Sequence, residues 1–123
     1  MSLETRVSIA EAEQLIKEAF LRNGVKEAVA VSVSTALVAA EAEGQVGHGF
    51  SRVKDYVAQV KSKKINVGAK ITIERRNLTS ISIDADYGFA YPALDQAITA
   101  GALTAKEYGL SLIHISEPTR HDQ

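Results

Sequence analysis

Residues 70–84 read Lys70-Ile71-Thr72-Ile73-Glu74-Arg75-Arg76-Asn77-Leu78-Thr79-Ser80-Ile81-Ser82-Ile83-Asp84. Ile71 and Ile73 alternate with Lys70, Thr72 and Glu74, and Ile81 and Ile83 alternate with Ser80 and Ser82. A period of two puts the isoleucines on one face of an extended chain. Arg75 to Thr79, with Asn77 at its middle, turns between the two runs, so the stretch predicts a β-hairpin closed by Tyr87-Gly88. The segments on either side have helical period, which makes the fold class α+β. A lone two-stranded hairpin is marginal in water and its faces want more strands. The chain up to Gly109 therefore reads as an incomplete piece of a larger fold, with apolar surface expected on helix 2 and on the hairpin.

Working outward, Ser8-Ile9-Ala10-Glu11 is a capping-box signature for a first helix. Ala12, Leu15, Ile16, Ala19 and Phe20 fall on one stripe of it, and Asn23-Gly24 supplies a left-handed stop, giving a helix over about Ile9 to Arg22. A second helix runs from near Lys26 to about Glu43 and is apolar on most faces, so it is expected to pack on several sides. Gly44 and Gly47 break it. A third begins at Phe50 or Ser51, carries Phe50, Val53, Tyr56, Val57 and Val60 as its stripe, and ends in Lys61, Lys63 and Lys64, which suit the negative end of the helix dipole. Pro92 opens a fourth helix with Leu94, Ala97, Ile98, Gly101 and Ala105 expected inward and Gly109 as its C-cap. The order is three helices, a hairpin and a helix.

The composition is that of an ordinary globular chain: 123 residues, 46% hydrophobic, 24% charged, formal net charge −1. That charge gives no drive toward nucleic acid or an acidic membrane surface. There is no cysteine, hence no disulfide framework and no thiolate chemistry. Residues 1–6 show no signal peptide, and Ala28 to Ala40 is too short and too rich in Ala and Ser to span a bilayer. A cytoplasmic location is the expectation.

The segment with chemical content is Gly47-His48-Gly49-Phe50-Ser51-Arg52-Val53-Lys54-Asp55-Tyr56. His48 lies between two glycines, which let backbone approach a ligand and remove side-chain cover. Arg52 and Tyr56 follow at steps of four, a spacing that would place all three on one helical face. Histidine moves protons near neutral pH. Arginine holds a carboxylate through two parallel hydrogen bonds. Together they suit a substrate with a carboxylate beside a carbinol, carbonyl or imine carbon. Each residue also has a plainer reading. His48 suits a loop or cap, Arg52 could pair with Asp55 or be solvated, and Tyr56 is in register with the apolar stripe. Asp84 and Asp86 read as a solvated turn, and the lysine run as a solvated helix end. The glycines match neither GxGxxG nor a P-loop, and no metal-ligand spacing occurs.

The run Ala39-Ala40-Glu41-Ala42-Glu43-Gly44, followed by His48-Gly49, Arg52 and Tyr56, resembles the malate/L-lactate/ureidoglycolate dehydrogenase family, which includes sulfolactate dehydrogenases. That family carries an acidic-Gly pair and then S/G-H-G-x-x-R-x-x-x-Y. The likeness continues through Lys64-Ile65-Asn66 and Ser82-Ile83-Asp84 to the helix ending at Gly109, and covers residues 8–109. It implies an oxidoreductase using NAD or NADP on 2-hydroxy and 2-oxo acids of malate, lactate, ureidoglycolate or sulfolactate type. Some members reduce cyclic imino acids. It implies a homodimer with a cofactor domain unlike a Rossmann fold, and a small carboxylate substrate. By the same resemblance His48 is an active-site proton donor or acceptor or a close partner of one, Arg52 binds the substrate carboxylate, and Tyr56 lines the pocket. Gly47 stands where many members have Ser, so a hydroxyl contact to substrate is missing. Most cofactor-binding residues of the family lie beyond Gly109, so this chain alone is expected to be inactive.

Leu110 to Arg120, LSLIHISEPTR, resembles the translation of a transposon adapter used in sequencing libraries. On that reading the native sequence ends near Gly109, and residues 1–109 balance 13 basic against 13 acidic side chains. The chain then divides into residues 1–66, an N-terminal helical region; residues 67–109, the start of a cofactor and substrate domain; and residues 110–123, a non-native tail. A rival from another class is a small helical interaction module without catalysis, which predicts a self-contained fold.

Overall fold

The structure, a computed structural model, describes residues 4–109, so the adapter-like segment and the rest of residues 110–123 lie outside it. It is α+β: α1 (Ile9–Arg22), α2 (Glu27–Ala42), a 3-10 turn (Val46–His48), α3 (Ser51–Lys61), β1 (Thr72–Asn77), β2 (Ser80–Asp84) and α4 (Ala90–Tyr108). Local signals set the ends. Ser8 Oγ accepts the Glu11 amide at 3.1 Å and donates to the Glu11 carboxylate at 3.0 Å. Glu11 thus takes the Ser8 hydroxyl proton, where a full capping box would take the Ser8 backbone amide. Gly24 and Gly44 end α1 and α2 at φ of +85° and +87°, and Gly109 caps α4 at φ +64°.

The core forms where α1 packs on α2. Phe20, Ala30, Val33 and Leu37 are wholly buried there. Phe89, just ahead of α4, enters the same cluster. Its ring meets Phe20 edge-on at 5.5 Å and Tyr56 edge-on at 5.8 Å, the favoured geometry for aromatic pairs. One side chain therefore ties α1, α3 and the start of α4 together. Apolar surface on α2 is mostly covered, with Val31 the large side chain still exposed, whereas Ile73 and Leu78 of the hairpin stand out in solvent.

β1 and β2 pair antiparallel, with Thr72 opposite Asp84, Glu74 opposite Ser82 and an irregularity between Arg75 and Asn77. Arg75 reaches α4, donating through Nη2 to Thr104 Oγ1 at 3.2 Å. The inward face of α4 differs from its sequence-based expectation. Ala93, Gly101 and Thr104 are buried, and Ile98 is 53% exposed. Small side chains let α4 approach α2, where Ser32 Oγ donates to Asp95 Oδ2 at 2.8 Å. Likewise Leu15 of α1 is 56% exposed although it shares the apolar stripe. Among the described residues no helix is long and apolar enough to cross a membrane.

Candidate active site

Gln45 leaves the C-terminal end of α2 and its amide returns to the Ala40 carbonyl at 2.9 Å. The chain then makes the 3-10 turn, with the His48 amide on the Gln45 carbonyl at 2.9 Å. Ser51 Oγ closes the turn onto the Val46 carbonyl at 2.9 Å. His48 is thus held in a turn ahead of α3 and is not on that helix. The single helical face inferred from the spacing exists only for Arg52 and Tyr56. Gly49 is the physical reason: it ends the turn, and α3 starts two residues later.

The two glycines beside His48 have different surroundings. A Cβ on Gly47 would meet nothing within 4 Å. A Cβ on Gly49 would lie 2.5 Å from Glu41 Oε1, 2.8 Å from Glu41 Cβ and 3.0 Å from Glu41 Cα. Gly49 is therefore packed directly on the last turn of α2. Glu41 Oε1 also accepts the Phe50 amide at 2.8 Å.

Arg52 folds back so that its Nε donates to the Gly47 carbonyl at 2.8 Å. It makes no ion pair with Asp55 among the described residues. Because Nε is engaged, the two terminal nitrogens are the ones left for a carboxylate. The His48 side chain is exposed, and no hydrogen-bond partner for its imidazole occurs among the described residues. Tyr56 is half-buried against Phe89. Burial pushes its phenol up to about 12, helped by a hydrogen bond with Tyr91 and opposed by the Arg52 charge. Gly47, His48 and Arg52 thus form one exposed cluster, while Tyr56 is shared between that cluster and the core. Tyr91, at the first turn of α4, is a partner that sequence reasoning missed. No local pattern links it to Tyr56, because the hairpin lies between them.

An open groove of about 810 Å³ lies elsewhere, between the segment after α3, the polar face of the hairpin and residues 84–90. None of His48, Arg52 and Tyr56 lines it. Glu74, Asp84 and Asp86 run along it beside Lys64 and Arg76. Three carboxylates against two cations are a poor lining for a pyrophosphate, so this groove does not by itself fit a dinucleotide. Among the described residues no group of carboxylates and histidines is placed to hold a metal.

The chain belongs to the malate/L-lactate dehydrogenase family, whose profile matches residues 7–121. It is 34% identical over 109 residues to the (2R)-3-sulfolactate dehydrogenase (NADP(+)) of Chromohalobacter salexigens, covering 89% of this chain and 32% of that protein. It is 30% identical over 117 residues to the Δ1-pyrroline-2-carboxylate reductase of Ancylobacter novellus, covering 95% and 34%. Among solved structures, the Δ1-piperideine-2-carboxylate reductase of Pseudomonas syringae superposes with a TM-score of 0.81 at 25% identity, over 85% of this chain and 32% of that one. The chain thus spans about a third of the length of the relatives it matches.

Proposed function

We propose that these residues serve as the N-terminal part of an NAD(P)-dependent oxidoreductase acting on small 2-hydroxy or 2-oxo acids of malate, lactate, ureidoglycolate or sulfolactate type. The observation that carries the reading is Arg52, locked through Nε to the Gly47 carbonyl beside an exposed His48, in a chain of the malate/L-lactate dehydrogenase family. Arg52 would grip the substrate carboxylate through its terminal nitrogens. His48 would exchange the proton at the neighbouring hydroxyl or carbonyl oxygen. Tyr56 keeps its proton at neutral pH and would border the same substrate as a donor. A nicotinamide cofactor fits a relative's NADP(+) dependence. Its binding residues are assigned to a longer polypeptide, and the chain alone is inactive on this reading. A cytoplasmic homodimer belongs to the same proposal, supported by the family likeness.

A second substrate class has a specific observation behind it. Gly47 offers no hydroxyl, and two of the relatives named above are reductases of cyclic imino carboxylates. An imine presents the same carboxylate to Arg52 and needs a proton on nitrogen.

The test is to express the polypeptide translated from the uninterrupted genomic frame through the codon for Gly109. NADH and NADPH oxidation are then followed with 2-oxo acids and cyclic imino acids. Turnover by that polypeptide, with KM raised in Arg52→Met and none from the 123-residue chain, is the expected result. No turnover of either class would remove the oxidoreductase reading. Turnover by the 123-residue chain would remove the claim that it is inactive.

A further inference from the structure

Glu41 takes no part in the spacing argument, yet the site turns on it. It lies in the last turn of α2, which carries no basic residue. An acid there sits against the negative end of the helix dipole, an unfavourable place unless something local offsets it. The offset is visible. Glu41 Oε1 accepts the Phe50 amide at 2.8 Å, a bond strengthened by the charge on the acceptor. The chain one residue earlier, at Gly49, rests on the Cα and Cβ of the same residue. Gly49 and Gly47 are in turn the two carbonyls that receive Arg52: its amide goes to Gly49 at 3.0 Å and its Nε to Gly47 at 2.8 Å.

We infer that Glu41 is a positioning residue: it fixes the His48 turn on α2 and thereby sets the direction of the Arg52 guanidinium. The inference rests on the carboxylate-binding reading of Arg52 given above. Glu41 does not itself touch substrate. Its side chain is engaged by the Phe50 amide, and it acts through the backbone of residues 47–50. Moving that backbone by even about 1 Å would swing the guanidinium away from the carboxylate it is placed to meet, a displacement of the size that costs enzymes on the order of a hundredfold.

The experiment titrates oxalate, a dicarboxylate probe, into the nitrogen-labelled 123-residue chain and follows the Arg52 Nε–H signal and the exchange of the Phe50 amide. In the unsubstituted chain oxalate shifts the Arg52 signal and the Phe50 amide is protected. Glu41→Ala is expected to weaken oxalate roughly tenfold or more and to release the Phe50 amide. Glu41→Gln, whose amide oxygen can accept the same bond, restores both. Glu41→Asp keeps the charge but shortens the reach, and gives the same reading where the alanine variant does not fold. Oxalate binding unchanged in Glu41→Ala, with Phe50 released, would overturn the positioning role and leave the carboxylate reading standing. Absence of any Arg52 response in the unsubstituted chain would instead remove the carboxylate reading, and the role of Glu41 with it.

Discussion

Replacing Gly49 by Ala should cost far more than replacing Gly47 by Ala, although both glycines flank the same histidine. A methyl at Gly49 would lie 2.8 Å from the Cβ and 3.0 Å from the Cα of Glu41, where relaxed carbon contacts stand at about 3.5–4.0 Å. The turn and α2 must therefore part by roughly 0.5–1 Å. Forcing a methyl into such a contact costs about 1–3 kcal/mol. The same separation stretches the 2.8 Å bond between Glu41 and the Phe50 amide, and losing a hydrogen bond of this kind adds about 0.5–1.5 kcal/mol. Together these come to about 1.5–4.5 kcal/mol, a large part of the roughly 5–15 kcal/mol that holds a domain together. A methyl at Gly47 meets nothing within 4 Å and leaves the carbonyl that holds Arg52 in place, so its effect stays within about 0.5 kcal/mol. Urea unfolding of the chain and the two variants, followed by circular dichroism, measures both. Equal midpoints for the two variants, or a Gly49→Ala midpoint within about 0.5 kcal/mol of the parent, would refute the claim that Gly49 is packed on α2.

Burial and the Tyr91 hydrogen bond push the Tyr56 phenol up to about 12. Unfolded tyrosine ionises near pH 10 (about 10 on model peptides), so between these values the folded state binds the extra proton and stability falls as pH rises. Alkaline unfolding should show this loss in the parent, and Tyr56→Phe should reduce it. Lys63 sits at φ +65° just past α3, and Lys63→Gly should raise stability by about 1 kcal/mol in the same urea assay by removing left-handed strain. Phe89→Ala should lose about 3–5 kcal/mol, because its buried ring is the contact that Phe20 and Tyr56 share. A loss below about 1 kcal/mol would mean that α4 is not anchored through it.

What could be read from the sequence was whatever is encoded within a few residues. The Ser8–Glu11 cap, the Asn23-Gly24 stop and the Gly109 cap each act over one turn of chain, and the helix ends fall where they place them; the period-two isoleucines mark the hairpin, but its turn is only Leu78-Thr79, because Arg75 and Asn77, expected in the turn, pair with Ile81 and Ser80 in the ladder. What could not be read depends on partners distant along the chain. Ile98 belongs to an apolar stripe on paper, but α4 is drawn close to α2 by small side chains and by Ser32 on Asp95, which turns Ile98 outward. Tyr91 and Glu41 reach the site only because the hairpin and the end of α2 bring them there.

The same distinction explains the histidine segment. Spacing by fours treats residues 48–56 as one helix, and a helix would carry His48, Arg52 and Tyr56 on a common face. Gly49 prevents it, because its contact with Glu41 fixes the backbone before α3 begins. The alternative device is a carbonyl: Gly47 holds Arg52 at Nε, bringing the guanidinium back onto the turn that carries His48 by a hydrogen bond instead of by helical register. The cluster therefore depends on two contacts, one to α2 through Glu41 and one within the turn. The aromatic contact of Tyr56 with Phe89 secures α3 but not the turn. Substitutions at Phe89 should accordingly change stability more than the Arg52 response to oxalate, while substitutions at Glu41 should do the reverse.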